Sequence, residues 1–122
     1  MRHSDQRDIV YQVVSSSCDH PNVDTILTRA KELMPSINMA TVYRNLNVLV
    51  SLNKIVRLTL ATGDRFDKTL HPHPHFYCKC CGNVTDVDHN AVADMVTSIE
   101  NTDFQIEKVD VMFTGICAKC KN

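Results

Sequence analysis

Two Cys-x-x-Cys pairs constrain the fold of this chain more than any other feature of its sequence. The pairs are Cys78 with Cys81 and Cys117 with Cys120, and residues 82–116 separate them. Two residues between thiolates allow a tight turn to aim both sulfurs at one ion, and four thiolates suit tetrahedral Zn²⁺. The sequence therefore predicts a structural zinc site that joins two remote turns and stabilises a small C-terminal unit.

A redox disulfide pair and an iron–sulfur cluster are the alternative uses of these cysteines. The chain has six cysteines in 122 residues, and in a reducing compartment this paired spacing more often indicates a metal site. We expect Cys80 not to be a ligand, because the Cys78–Cys80 spacing is too short for a normal turn. Cys18 is expected to be a small buried residue.

The sequence favours a cytoplasmic protein that makes no contact with a membrane. No stretch approaches the roughly 20 apolar residues needed to cross a bilayer. The polar N-terminus, Met-Arg-His-Ser-Asp, has no apolar signal-peptide core. The net charge of −1 excludes nothing, although residues 1–68 are slightly basic and residues 69–122 slightly acidic.

Apolar residues recur at helical spacing in three segments of the N-terminal half. Asn22 can cap the second helix, and the third begins near Ser36 or Asn38. Residues 55–67 read as two strands around a turn. Three helices followed by a two-stranded hairpin predict a winged helix-turn-helix domain over residues 1–68.

The third helix, predicted over residues 39–51, is the candidate DNA-recognition helix. Its apolar positions, Val42, Leu46 and Leu49, predict the inner face, and we expect the polar residues between them to point away from the core. Arg44 and Asn45 are expected to contact base edges, and Thr41 and Tyr43 to lie near phosphates or thymine methyl groups. The hairpin arginines are expected to contact phosphates. The alternative is a merely solvated helix face. The candidate DNA contacts are Thr41, Tyr43, Arg44, Asn45, Arg57 and Arg65.

The C-terminal half reads as strand, strand, helix, strand, which predicts a small α/β unit over residues 75–122 that contains the zinc site. A hinge is expected at residues 69–74, where prolines interrupt regular structure. The helix would follow Asn90, and a bulge is expected in the last strand between Ile106 and Val109. The whole chain is therefore predicted to be α+β.

Histidines and prolines alternate from His71 to His75, immediately before the first cysteine pair. Residues at i and i+2 of an extended segment share a face, so His73 and His75 can reach one ion together. Proline cannot join a central ladder, so this run does not belong to the core. We predict a second metal site here; the alternative is a solvated loop or an incidental zinc-binding surface.

Taken together, three groups of residues resemble the ferric uptake regulator family. One is Ala-Thr-Val-Tyr-Arg-Asn-Leu at residues 40–46, and another is Arg-Phe-Asp at residues 65–67. The third combines His73-x-His75-Phe-Tyr-Cys78-x-x-Cys81-Gly82, Asp86 and Cys117-x-x-Cys120. The resemblance covers nearly the whole chain in the same order. Family members usually have a further helix before the segment that resembles residues 4–7.

Within the family, the chain is most similar to the peroxide-sensing repressors, because Asp67 stands where iron sensors commonly have Glu. The resemblance implies that Fe²⁺ or Mn²⁺ is the regulatory metal and that peroxide oxidises His20 or His73 through Fe²⁺. An iron- or other metal-responsive regulator without peroxide sensing is the alternative. The implied ligands of the regulatory metal are His20, Asp67, His73, His75 and Asp86.

The same resemblance implies a homodimeric transcriptional repressor that binds double-stranded DNA at an AT-rich inverted repeat. It also implies that residues 75–122 form the dimerisation and metal-binding domain. An enzyme is not expected: zinc deaminases need a His-x-Glu motif, whereas this chain has His73-Pro74-His75. A zinc-stabilised interaction module without DNA binding is the remaining alternative.

Overall fold

The chain divides into two units, residues 1–70 and residues 71–122, which are described here one at a time. None of the helices among the residues described is long and apolar enough to span a membrane. The computed structural model describes residues 3–68, 73–88, 90, 93, 99, 103, 105 and 109–121.

The N-terminal unit contains the three helices and the hairpin that the sequence predicts. The two strands are antiparallel, and Leu60 pairs with Gly63 across a two-residue turn. Gly63 has φ +121°, a conformation that side chains with a Cβ rarely adopt. The winged helix-turn-helix prediction is therefore confirmed. The elements are α1 (His3–Ser16), α2 (Val23–Leu33), α3 (Met39–Ser51), β1 (Val56–Leu60) and β2 (Gly63–Asp67).

Two asparagines set where α2 and α3 begin. The Asn22 side-chain oxygen accepts a hydrogen bond from the backbone N–H of Thr25 at 2.9 Å. The Asn38 side-chain oxygen accepts the equivalent bond from Thr41 at 2.9 Å. Each bond satisfies a backbone donor that the first helical turn leaves without an intrahelical partner. The predicted cap at Asn22 is confirmed, and α3 begins one residue after Asn38.

The core of the N-terminal unit lies between the three helices and is closed by the hairpin. Phe66 of β2 is fully buried and is among the largest side chains in this core. Burying a side chain of that size stabilises a fold by about 1.5–3 kcal/mol. The buried cluster consists of Val10, Val13, Val14, Ile26, Ala30, Met34, Ile37, Val42, Leu46, Leu49, Ile55 and Phe66.

The prediction that Thr41 and Asn45 point away from the core is wrong. Asn45 is only 2% exposed, Thr41 is 7% exposed, and the Asn45 amide donates to the Thr41 carbonyl at 2.9 Å. Helix α3 packs against both α1 and α2, so it buries a wider arc than one apolar stripe. These two side chains are therefore structural, and the predicted base contact of Asn45 and phosphate or methyl contact of Thr41 do not fit their positions.

The described residues of the C-terminal unit form a three-stranded sheet made of β3 (His75–Cys78), β4 (Val84–Asp86) and β5 (Met112–Gly115). The strand order is β4-β3-β5, with β3 antiparallel to β4 and parallel to β5. The strands on both sides of the first cysteine turn agree with the sequence prediction. The predicted helix after Asn90 and the predicted bulge between Ile106 and Val109 fall largely outside the described residues.

The substitution Asn38→Ala tests the cap of α3. It is expected to lower the free energy of unfolding by about 1 kcal/mol, because the N–H of Thr41 loses its acceptor. Asn38→Asp keeps a side-chain oxygen and is expected to retain most of the stability. Urea unfolding of the zinc-loaded protein measures both variants; an equal loss in the two would contradict the capping role.

Candidate metal centres

The structure brings all four predicted zinc ligands together in the C-terminal unit. The sulfurs of Cys78, Cys81, Cys117 and Cys120 lie within 4.8 Å of one another, and none of these cysteines forms a disulfide. Parallel pairing of β3 with β5 places Cys78 opposite Gly115, so the two cysteine turns follow at the same end of the sheet. Exposed Cys80 is outside this group.

Backbone donors prepare one of these sulfurs to be a thiolate. The N–H groups of Cys81 and Cys117 point at the Cys78 sulfur, at 3.5 and 3.4 Å. They lower the pKa of Cys78 to about 5, whereas a hydrogen bond with Cys117 raises the pKa of Cys120 to about 12. A thiol whose pKa is raised in this way, such as that of Cys120, keeps its proton, and a bound divalent cation would displace that proton. Four sulfurs with no oxygen or nitrogen donor among them fit zinc.

His20 and Asp67 form a second cluster, here called the N-terminal half-site. The His20 Nε2 atom lies 3.5 Å from an Asp67 carboxylate oxygen, and both residues are buried. Asp67 ends β2, and His20 lies between α1 and α2 with φ 50°, in the left-handed region. A buried imidazole beside a buried carboxylate is a donor set that suits a divalent cation.

Two arginines surround the loop that carries His20. The Arg29 guanidinium forms a bidentate ion pair with Asp19, at 2.7 and 3.0 Å. This hydrogen bonding holds the pKa of Asp19 below its ordinary value. The Arg65 Nε donates to the His20 carbonyl, and its Nη2 donates to the Asp19 carbonyl at 3.3 Å. No sequence pattern links Asp19 to Arg29, so neither residue is among the predicted site residues. The phosphate contact predicted for Arg65 differs from these bonds.

The C-terminal half-site consists of His73, His75 and Asp86. A single Asp86 oxygen lies 2.8 Å from the His73 Nε2 and 3.5 Å from the His75 Nε2. His75 and Asp86 are direct partners in the pairing of β3 with β4, and the two imidazole centroids are 4.3 Å apart. The i and i+2 spacing thus places both rings on one side, as expected. His71 lies outside the described residues.

The remaining DNA-contact candidates have different surroundings. Tyr43 is 45% exposed and Arg44 is also exposed, so both are accessible on α3. The half-buried Arg57 bonds to Asn47 of α3, lies 3.3 Å from the Asp64 carboxylate and covers the Phe66 ring at 5.5 Å. It therefore ties the hairpin to the helix. Cys18 is exposed, so the prediction that it is buried is wrong.

The chain combines a winged helix-turn-helix unit with a unit that contains clustered thiolates and imidazoles. This domain architecture is typical of a metal-responsive transcription regulator. The model of the ferric uptake regulator family matches residues 1–114, so the chain belongs to this family. Members of the family are transcription regulators rather than enzymes.

Among curated proteins, the chain is similar to the peroxide-responsive repressor PerR of Staphylococcus epidermidis. The two are 29% identical over 123 residues, which cover 99% of this chain and 82% of the relative. The PerR of Staphylococcus aureus is 28% identical over 124 residues, which cover 100% of this chain and 84% of that protein. Both alignments therefore include the two units.

Solved structures show the same fold. The Helicobacter pylori ferric uptake regulator Fur superposes with a TM-score of 0.87 at 22% identity, covering 100% of this chain and 83% of that one. The Campylobacter jejuni peroxide stress regulator superposes with a TM-score of 0.84 at 26% identity, covering 97% of this chain and 90% of that one.

Substitution of one cluster cysteine is expected to remove bound zinc. Cys81→Ser takes away a thiolate from the group of four, whereas Cys80→Ser changes an exposed cysteine outside it. We expect the Cys81 variant to purify with little zinc and a lower unfolding midpoint, and the Cys80 variant to keep its zinc. Elemental analysis measures the ratio of zinc to protein. Zinc loss in the Cys80 variant, or zinc retention in the Cys81 variant, would contradict this ligand assignment.

Proposed function

We propose that this chain is a cytoplasmic, homodimeric repressor that binds operator DNA when a regulatory metal is bound and that senses hydrogen peroxide. The observation that carries the proposal is the chemistry of the two half-sites. Their donors are imidazole nitrogens and carboxylate oxygens, with no sulfur, whereas the separate thiolate cluster suits structural zinc. Nitrogen and oxygen donors suit Fe²⁺ and Mn²⁺.

In this proposal one ion is bound by both half-sites. His20 and Asp67 supply donors from the N-terminal unit, and His73, His75 and Asp86 supply them from the C-terminal unit. Each half-site is assembled within its own unit, since the Asp67 and Asp86 carboxylates already face imidazoles. An ion held by both would select one arrangement of the DNA-binding units across a hinge at residues 69–74.

Five protein donors would leave one of six coordination positions open for peroxide. Fe²⁺ held by these residues would supply the one-electron chemistry that activates peroxide beside the imidazoles. In the net reaction, one peroxide oxygen is added to a carbon of His20 or His73, the imidazole gives up two electrons, and the other oxygen leaves as water. An oxidised imidazole is a poorer ligand, so the residues of the two half-sites would no longer hold the units together. The Asp residues at positions 67 and 86 and the two peroxide-responsive relatives support this branch over a plain iron sensor.

The proposed dimer uses the C-terminal unit, and each N-terminal unit presents α3 to DNA. Strand β5 and the residue after it expose the apolar side chains of Met112, Phe113 and Ile116, which a second copy could cover. Two copies related by a two-fold axis would place their recognition helices in major grooves about one helical turn apart. The proposed operator is accordingly an AT-rich inverted repeat.

Peroxide treatment tests the sensing mechanism. The zinc-loaded protein is loaded with Fe²⁺ or with Mn²⁺, exposed to dilute peroxide and digested for mass spectrometry. We expect the mass of one oxygen atom to be added to His20 or His73 in the iron form only, because Mn²⁺ does not support this oxidation. An iron form whose histidines remain unmodified would leave a metal-responsive regulator without peroxide sensing.

The substitution Arg44→Ala tests the recognition helix. With saturating Mn²⁺, it is expected to weaken binding to an AT-rich inverted repeat by about 1–3 kcal/mol, as loss of a base contact does. Lys31→Ala removes an exposed positive charge from α2 and serves as the control. Gel-shift titrations at fixed salt measure both variants and the wild type. Equal weakening by the two variants, or wild-type binding that does not depend on metal, would contradict the proposal.

A further inference from the structure

The segment that carries His20, here called the His20 loop (residues 17–21), is held at almost every residue. The loop follows α1, and its first residue, Ser17, donates a hydroxyl hydrogen bond to the Val13 carbonyl of that helix at 2.6 Å. His20 itself has φ 50°, a left-handed conformation that is uncommon for residues with a Cβ and persists where surrounding contacts enforce it. The contacts around the loop therefore decide where the His20 imidazole lies.

Helix α2 holds the first part of the loop through Arg29. One guanidinium nitrogen donates to the Ser17 hydroxyl at 2.8 Å and to an Asp19 oxygen at 3.0 Å, and the other donates to the second Asp19 oxygen at 2.7 Å. The Arg29 side chain is 38% exposed and that of Asp19 is 56% exposed. An ion pair as exposed as this contributes little to global stability, so its effect is local.

Strand β2 holds the second part of the loop. The backbone N–H of Phe66 donates to the Pro21 carbonyl at 3.0 Å, while the Arg65 side chain donates to the carbonyls of His20 and Asp19. Arg65 and Asp67 are two residues apart on one strand, so they share the face opposite buried Phe66. Strand β2, which supplies the proposed ligand Asp67, thus also holds the backbone of the proposed ligand His20.

We propose that Arg65 and the Asp19–Arg29 ion pair are positioning residues that set the affinity of the regulatory metal by fixing the His20 loop. The inference rests on the proposed role of His20 as a ligand, and it replaces the phosphate contact expected of Arg65. Without these guanidinium bonds, His20 can leave its left-handed conformation and its imidazole can move away from Asp67. Loss of groups that orient ligands typically weakens metal binding by about 10- to 100-fold.

The experiment measures Mn²⁺ binding to the full-length, zinc-loaded protein by the electron paramagnetic resonance signal of free Mn²⁺. The variants are Arg65→Gln, Arg29→Gln, Asp19→Arg, the exchanged pair Asp19→Arg with Arg29→Asp, and His20→Ala. We expect the dissociation constant to rise by about 10- to 100-fold in the first three. The exchanged pair should bring it back towards the wild-type value, because the ion pair is restored with reversed polarity. Urea midpoints should change little.

DNA binding at saturating Mn²⁺ separates the two roles of Arg65. A positioning residue leaves that affinity and its salt dependence unchanged, whereas loss of a phosphate contact lowers both. Weaker DNA binding with an unchanged Mn²⁺ constant in Arg65→Gln would overturn the inference. An unchanged Mn²⁺ constant in the arginine variants, with weaker binding in His20→Ala, would overturn it and leave the proposed function standing. Unchanged binding in His20→Ala would instead reject the ligand role of His20 itself.

Discussion

The burial of Phe66 is the interaction on which the N-terminal half-site depends. Its ring fills the core between the helices, and its backbone N–H is bonded to Pro21. Because neighbouring residues of a strand face opposite sides, a buried Phe66 places Arg65 and Asp67 on the other face of the strand, towards the His20 loop. A core contact thereby fixes the place of a polar cluster, and the hydrophobic effect supplies the stability that keeps an imidazole and a carboxylate close together.

The two kinds of metal centre differ in their donor atoms and in how those donors are distributed over the two units. The thiolate cluster lies wholly within the C-terminal unit and offers the four sulfurs that a tetrahedral zinc ion needs, so it can stabilise that unit without responding to a signal. The imidazole and carboxylate donors are distributed over both units, so in the proposed regulator their ion reports on how the units are arranged. Sulfur donors in the thiolate cluster and nitrogen and oxygen donors in the two half-sites allow two metals to be distinguished by donor chemistry.

Local signals in the sequence were sufficient for much of this structure. The cap at Asn22, the hairpin and the cysteine spacing each depend on residues close in sequence, and the structure agrees with all three. Side-chain directions that depend on tertiary packing were not predictable. Asn45 is buried because α3 packs against two helices at once, which one apolar stripe does not reveal. Likewise, the bond of Arg65 to a carbonyl 45 residues earlier leaves no pattern in the sequence.

The parallel pairing of β3 with β5 has a consequence for how the protein matures. Parallel neighbours need a long crossover, and here residues 79–111 must be made before the second strand can join the first. The hairpin and helices of the N-terminal unit pair with segments closer in sequence, so they can fold before translation is complete. Zinc capture by all four sulfurs must wait until Cys120 has been added, so the first cysteine pair is synthesised before its counterpart exists.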